Sequence, residues 1–496
     1  MKPYTFLTGA TGLLGRYLIK DLTLAGVAVA VLVRPSRRAT AMHRVENVMC
    51  YWDSVLGRSL PRPVVLEGDI TEPDLGLDAR GTRWVAENCD TMLHNAASLT
   101  FQSTSSQSEP WRSNVEGVRN VLEFCRNAGI RQFHHVSTAY VCGLRQGLIL
   151  ETELDIGQKM SNDYEQSKLQ AETMIRSAGF LDSLTVHRPA IIIGDSKTGY
   201  TTTYHGFYAP LQAVSTMAQT FYVDATGHSG ISARFGISSH NTKNLVPVDW
   251  VSAVMSHVIT HPEHHGQTYH LTPMHPVSAR LLGDIFEEAV GFYGVKLEGS
   301  GKTIAGPTEY EQLFSELISV YKSYWKDDPT FDSTNTRVAA PHLPCPHVDR
   351  RMLMKMAEYA IRVNFTAPRA KPIEPKFDVA ATLEPLLEAA HAAERTFSGA
   401  LRLGLRVTGH GGGDWSLTLN GDEVSSADPG IHSRCAAVVQ CEVAVFAALA
   451  AGKSAIDEAL VSGELGVTGD PAARPFVVAA FRQFAEMGHA KALASN

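Results

Sequence analysis

No pair of cysteines in this chain is spaced as CxxC, and the seven present are scattered and odd in number. That speaks against a disulfide framework and leaves free thiols in a reducing compartment as the expectation. Basic charge is not in excess either. A formal net charge of -7 offers no footprint for nucleic acid or for an anionic membrane surface. Long apolar runs are missing as well. The longest, Cys435 to Ala451, is interrupted by Gln440 and Glu442, and it falls short of the ~18 uninterrupted apolar residues of a membrane span. Strand-like residues begin at once in KPYTFLTGATG, so no signal peptide is expected and the expected location is the cytoplasm. Internal repeats are not visible. What is present is a soluble, globular composition, 44% hydrophobic and 19% charged, over 496 residues. That length is too great for one ordinary core and implies two or three domains.

Short apolar runs alternate with helical patterns through the first two hundred residues. YTFLT (4–8), VAVAVLV (27–33), PVVLEGD (63–69), TMLHNAA (91–97), RQFHHVST (131–138) and LTVHRPAIIIG (184–194) read as strands. LLGRYLIKDLTLAG and WRSNVEGVRNVLEFCRNAG between them read as helices. Strands apolar on both faces, alternating with helices, predict an α/β fold of the doubly wound class, with a parallel sheet covered by helices. Regularity fades from about 195. TAPRAKPIEPK (366–376) carries three prolines and no apolar period, so a linker is expected over 366–377. Beyond it, a helical stretch (379–401), alternating LRLGLRVTG and DWSLTLNGDE, and a helical CEVAVFAALAAGKSAIDEALVSGEL make up a second unit. The expected domains are 1–365, with a substrate-binding part at about 195–240 and 270–365, and 378–492.

TGATGLLG (8–15) sets Gly9, Gly12 and Gly15 three apart, after a strand and opening a helix. The first glycine permits a tight turn, the second lets backbone approach a pyrophosphate, and the third lets the helix pack on the sheet. In this context the motif predicts dinucleotide binding, with Thr11, Leu13 and Leu14 in the same turn expected at the cofactor. The second strand ends VLVRPSRR, where an acidic residue would hold the ribose hydroxyls of NAD. Arg34, Arg37 and Arg38 stand there instead. A guanidinium suits the 2′-phosphate of NADP, and Arg34 and Arg38 are the candidates, Arg34 being nearest the strand. In NDYEQSK (162–168), Tyr164 and Lys168 lie four apart, on one face of a helix.

With those motifs, GDI at Asp69, NAAS (95–98), Asn114, STAYVCG (137–143) and HRPAIIIG follow in an order that resembles the extended short-chain dehydrogenase/reductase superfamily over about 1–365. The resemblance implies that Asp69 and Ile70 flank the adenine and that Asn95, Ala96 and Ala97 line the cofactor. It implies a catalytic set of Thr138, Tyr164 and Lys168, supported by Asn114. Thr138, a serine in many relatives, would bond the substrate carbonyl oxygen. Tyr164 would protonate that oxygen or stabilise its charge, and Lys168 would hold the nicotinamide ribose. A nearby ammonium is expected to lower the phenol's pKa.

NLVPVDWVSAVM (244–255), YHLTPMHPVSA (269–279) and DPTFDSTNTR (328–337) are similar to thioester reductases and fatty acyl-CoA reductases, which release acyl groups from CoA or a carrier protein as aldehydes using NADPH. That resemblance implies NADP(H), an acyl thioester or other lipidic substrate, and an acyl carrier protein or CoA as partner. It leaves open a second cycle to the alcohol. DWSLTLNGDE, VFAALAAGKSAIDEAL and VSGELGVTGDP resemble the sterol carrier protein-2 fold, implying a lipid or acyl tunnel over 378–492 that feeds or receives the chain. The alternatives are a hydroxysteroid or ketone dehydrogenase acting on a lipid, and a non-catalytic lipid-binding protein that senses NADPH. Val443, Phe446, Leu449 and Leu460 sit at core-like helical spacings, which do not separate a tunnel from a filled core. HGGG (410–413) has no partnering nucleophile elbow, since TGHSGIS (226–232) lacks the second glycine, and reads as a flexible turn. HPEHH (261–265) reads as a solvated loop rather than a metal site, His134 and His135 as packed, and Cys142 as an apolar filler.

Overall fold

Seven short strands form one sheet: β1 (Tyr4–Thr8), β2 (Ala28–Val33), β3 (Val64–Glu67), β4 (Cys89–His94), β5 (Gln132–Val136), β6 (Ser183–Pro189) and β7 (Thr268–Leu271). A computed structural model of the chain describes residues 3–220, 228–235, 238–291, 293–297, 299, 306–317, 326–367, 375–392 and 401–494. The strand order is β7-β6-β5-β4-β1-β2-β3, and every neighbouring pair is parallel. Side chains alternate across the sheet. Leu7, Val29, Val31 and Val33 enter one buried cluster with α1 (Leu13–Leu24) and α2 (Ala41–Leu56). Phe6, Ala30, Leu32 and Met92 enter another with α3 (Ala79–Asn88), α4 (Gly117–Ala128) and α5 (Asp163–Arg176). Burial on both faces explains the continuous apolar runs; each such Leu, Val or Phe contributes about 1.5–3 kcal/mol.

The run 184–194 divides. β6 ends at Pro189, and Ile191–Ile193 leaves the sheet to pair in parallel with Leu245–Pro247. The divergence starts a smaller apolar unit around α6 (Tyr208–Thr220), with Ile193, Leu211, Leu245 and Phe286 buried in it. α7 (Val248–Thr260) returns to cover β1 and β2 beside α1, while α8 (Ala279–Val290) and α9 (Arg350–Arg362) close the smaller unit. Strand β7 overlaps the start of the YHLT stretch, read above only as a family motif.

The C-terminal unit has its own sheet: β8 (Leu401–Thr408), β9 (Gly413–Asn420), β10 (Glu423–Pro429), β11 (Ala437–Glu442) and β12 (Gly466–Gly469), in the order β10-β9-β8-β11-β12. Only β8 and β11 are parallel within it. α10 (Val379–Ala392), α11 (Val443–Ala450) and α12 (Arg474–Ala494) contribute its buried side. Phe446, Phe481 and Phe484 meet there with ring centroids 5.5–5.8 Å apart. Residues 368–374 of the expected linker and 393–400 of the expected helix lie outside the described residues. HGGG is a tight turn between β8 and β9 rather than a flexible one: a Cβ on Gly411 would meet the Phe377 carbonyl oxygen at 2.1 Å.

The two units touch at the start of β1. Tyr4 Oη donates to Asp414, which also takes a forked pair from Arg406, and accepts from the Ile431 amide at 2.8 Å. The Trp84 indole donates to the Pro429 carbonyl at 2.6 Å. β1 begins at this contact and ends at the glycine turn, so the C-terminal unit sits at the opposite end of the strand from that turn.

Candidate active site

In an open parallel sheet, ligands bind beyond the strands' carboxyl ends, where the strand order reverses. Here that point lies between β1 and β4. The glycine turn follows the first strand and Asn95–Ala97 follows the second, and the two loops close on one another. Asn95 Nδ2 donates to the Gly9 carbonyl at 3.1 Å, and the Asn95 and Ala96 amides donate to Thr8 Oγ1. Gly9 has φ +71°, and a Cβ there would lie 2.7 Å from the Ala96 nitrogen. A Cβ on Gly15 would meet the Gly9 carbonyl oxygen at 2.1 Å, so this glycine serves helix packing. Gly12 is exposed and has room in front of it, as close approach by a phosphate requires. No acidic residue stands in the first turn of α1, whose free amides and dipole favour an anion. These features fit a dinucleotide pyrophosphate.

A cavity of about 630 Å³ runs from this turn across the ends of the strands. Thr11, Gly12, Leu13, Leu14, Asn95 and Ala97 line it, as do Arg34, Asp69 and Ile70 at one end. Asp69 binds the Thr71 amide and hydroxyl at 3.0 Å and takes Arg34 at 3.4 Å. Arg38 stays in the exposed turn after β2 and is not part of the cavity wall. Arg44, from α2, stands there instead. It donates to Thr11 Oγ1 at 2.8 Å and to the Arg34 carbonyl at 2.6 Å. Sequence reading passed over it because it lies eleven residues beyond the strand, inside a helix whose turn alignment the sequence does not display.

Thr138, Tyr164 and Lys168 come together midway along the cavity. Thr138 follows β5 and caps a short turn, its Oγ1 accepting the Tyr140 amide at 3.3 Å. Asn162 caps α5 by accepting the Glu165 amide at 2.9 Å, which fixes Tyr164 and Lys168 on the first turns. Tyr164 lines the cavity with Thr138, and its ring meets Phe101 edge-on at 5.7 Å. The Lys168 ammonium donates to the Val136 carbonyl at 2.7 Å. Asn114 lies behind the wall rather than in it. It bonds the Ser98 carbonyl and amide and Ser167 Oγ, pinning the loop after β4 to α5.

The expected fall in the Tyr164 pKa is not found. Burial of the hydroxyl, followed by the Glu165 charge, raises it above the ordinary phenol value, against the Thr138 hydrogen bond. The Lys168 ammonium is directed to the Val136 carbonyl instead. Burial lowers Lys168 to about 8, opposed by Glu172. The ammonium is thus lost as pH rises through that value, and kcat/KM is expected to fall there; a pH–rate profile checks this.

Two buried networks escaped sequence reading because their members are far apart in the chain. Glu172, one helical turn after Lys168, takes Arg188 through both oxygens at 2.6 and 3.1 Å and Ser137 Oγ at 2.7 Å. Asp328 takes Lys243 at 2.8 Å, Tyr140 Oη at 2.6 Å and the Asn244 amide at 3.0 Å. The 328–337 stretch thus braces the Thr138 turn, and Lys243 lines the cavity. His134 and His135 are buried, His134 against His187 at 3.3 Å, and burial holds both well below the ordinary imidazole range. Burial raises Cys142 to about 12, which leaves an inert thiol.

The model of the NAD-binding family described as male sterility protein matches residues 7–255. The chain belongs to this family. The family is of the thioester reductase type within the short-chain dehydrogenase/reductases. The aldehyde reductase lnaA of Aspergillus flavus is 25% identical over 407 residues, 73% of this chain and 36% of that protein. A non-canonical nonribosomal peptide synthetase, hkm10 of Aspergillus hancockii, is 24% identical over 71% of this chain and 36% of its own length. The chain therefore spans little over a third of either relative. Among solved structures, the terminal R domain of the myxalamid PKS-NRPS pathway is 26% identical with a TM-score of 0.59, over 74% of this chain and 93% of that one. No described helix is long and apolar enough to cross a membrane.

Proposed function

We propose that this family member uses NADPH to release an acyl group from a thioester of CoA or a carrier protein as an aldehyde, and that a second round on the aldehyde gives the alcohol. What carries the reading is one continuous cavity. The glycine turn stands at one end, Thr138, Tyr164 and Lys168 in the middle, and Phe207, Val214, Leu245 and Phe286 beyond them as an apolar end suited to an acyl chain. The names of the relatives, an aldehyde reductase and peptide synthetases, support the same chemistry.

NADPH, when bound, supplies the hydride. Thr138 and Tyr164 both line the cavity, and each carries a hydroxyl that can donate to a substrate carbonyl oxygen there. Tyr164 gives its proton to that oxygen as negative charge develops. Lys168 would hold the nicotinamide ribose, and its ammonium would screen the phenolate left on Tyr164. The resulting hemithioacetal breaks its C–S bond, the hydroxyl proton passing to the departing thiolate. Asn114 acts at one remove, by holding α5 against the loop after β4.

Preference for NADPH over NADH rests on Arg34 and Arg44. A charge-assisted hydrogen bond contributes about 1.5–3 kcal/mol, so Arg44→Ala is expected to raise KM for NADPH by roughly 10- to 100-fold and leave that for NADH almost unchanged. Initial-rate measurements with both cofactors check this.

The domain at 378–492, joined through 366–377 to the reductase at 1–365, is proposed to bind the lipidic chain in the manner of sterol carrier protein-2. Among the described residues, none of those lining the cavity belongs to this domain. Native mass spectrometry of the purified chain tests this part: a co-purified lipid supports it, and a bare mass even after incubation with acyl-CoA and sterol opposes it. The reductase reading is tested by incubating the chain with NADPH and an acyl-CoA and trapping the product as a hydrazone. Aldehyde formation is expected, and turnover of ketosteroids but of no thioester would favour a ketone reductase.

A further inference from the structure

Four histidines gather where α7 ends. His257 and His261 stand one turn apart with ring centroids 4.0 Å from each other. His264 lies 5.7 and 6.1 Å from those two rings, and His342, from the segment after the short helix Thr334–Ala339, lies 4.6 Å from His257. An ion held tetrahedrally at about 2.1 Å from each ring nitrogen places ring centroids about 5 Å apart, the middle of this range. The tautomers are also set. His257 Nε2 faces the Ala339 carbonyl at 3.0 Å, and His261 Nδ1 faces the His257 carbonyl at 2.8 Å. A carbonyl only accepts, so each of these nitrogens carries a proton, and His257 Nδ1 and His261 Nε2 are the nitrogens left to ligate. A backbone carbonyl behind a ligating imidazole is the arrangement that orients it for a metal. The Glu263 carboxylate lies within electrostatic reach of His257, His261 and His264.

We propose that this cluster is a binding site for a borderline divalent cation of the Zn²⁺ class, which prefers imidazole ligands. Among the described residues its donor atoms do not converge; binding requires the exposed His342 and the half-buried His264 to turn toward His257 and His261. The bound ion staples the 339–343 segment to α7, just beyond Asn335 and Thr336, which bond the Thr268 and His270 carbonyls of β7. A second cluster, Glu46, Cys50 and His410, does have donor atoms within 4.8 Å of one another. There, however, Glu46 takes Arg62 through both oxygens, at 2.8 to 3.3 Å, so an ion would face a buried guanidinium.

The test uses the full chain without an affinity tag, titrated with Zn²⁺ against a chromophoric chelator. One equivalent is expected to bind at submicromolar free Zn²⁺ and to raise the thermal midpoint, and Co²⁺ is expected to give the intense visible bands of a tetrahedral site. The double substitution His257→Asn with His261→Asn should remove both effects while leaving the circular dichroism spectrum unchanged. Cys50→Ser should change nothing. Failure of the native chain to bind at micromolar free Zn²⁺, undiminished binding in the double variant, or loss of binding with Cys50→Ser would each overturn the proposal.

Discussion

Tyr164→Phe is expected to lower turnover by about 100- to 10,000-fold and to leave NADPH affinity nearly unchanged. The substitution keeps the ring, its edge contact with Phe101 and the helix that carries it. Only the hydroxyl goes, and with it the proposed proton donor. Thr138 remains, so residual activity is expected from the oxygen contact it retains. Steady-state rates together with a cofactor titration by fluorescence separate the two effects. Full turnover in the variant would remove Tyr164 from the chemistry. Lost cofactor binding would instead mean that the substitution disturbs the cavity.

Glu172→Ala should be the most destabilising single change near the site. Glu172 and Arg188 are almost fully buried, at 0% and 1% side-chain exposure, and joined at 2.6 Å. Removing the carboxylate leaves the guanidinium buried without its partner, which costs about 3–5 kcal/mol. Ser137, the neighbour of Thr138, loses its acceptor at the same time. The first transition in thermal unfolding is therefore expected to fall by several degrees or more. Pairing Glu172→Leu with Arg188→Met should recover much of the loss, because the fully buried charge is gone, while Arg176, which also pairs with Glu172, is partly exposed and keeps its bond to Thr268. The sign with pH follows from the direction of the shift. Although burial raises the Glu172 pKa, Arg188 and its hydrogen bonds outweigh it, and the value is held below the ordinary glutamate range. The pair's stabilisation is thus complete above the unfolded-state pKa and is lost as pH falls through the folded one. Native protein should lose stability in that acid window, and the double variant much less.

The parts of this site visible in the sequence are those set by local spacing. Gly9, Gly12 and Gly15 show their purpose because a turn, a phosphate approach and a helix contact each demand a missing Cβ within eight residues. Tyr164 and Lys168 show theirs because one helical turn aligns them. The strands at β1 and β2 were legible because burial on both faces forces unbroken apolar runs. Strand β7 was not, since its four residues include Thr268 and His270, buried through hydrogen bonds rather than apolarity. Arg44, Glu172 with Arg188, and Asp328 with Lys243 depend on contacts across tens of residues, which no period in the sequence encodes. The tetrahistidine cluster divides in the same way. HPEHH was in view, but His257 is hidden within an apolar helix and His342 lies about eighty residues away. The Tyr164 pKa is the instructive failure: types and spacing named the pair, while the position of the ammonium had to come from the fold.

The central claim is that hydride transfer in this cavity severs a thioester. Its most direct measurement is the release of free thiol, followed with a disulfide reagent, against NADPH oxidised, with acyl-CoA and with an acylated carrier protein as substrates. One thiol for each NADPH consumed, or for every two where the alcohol accumulates, is the predicted result. NADPH oxidation that proceeds with no thiol released would contradict it.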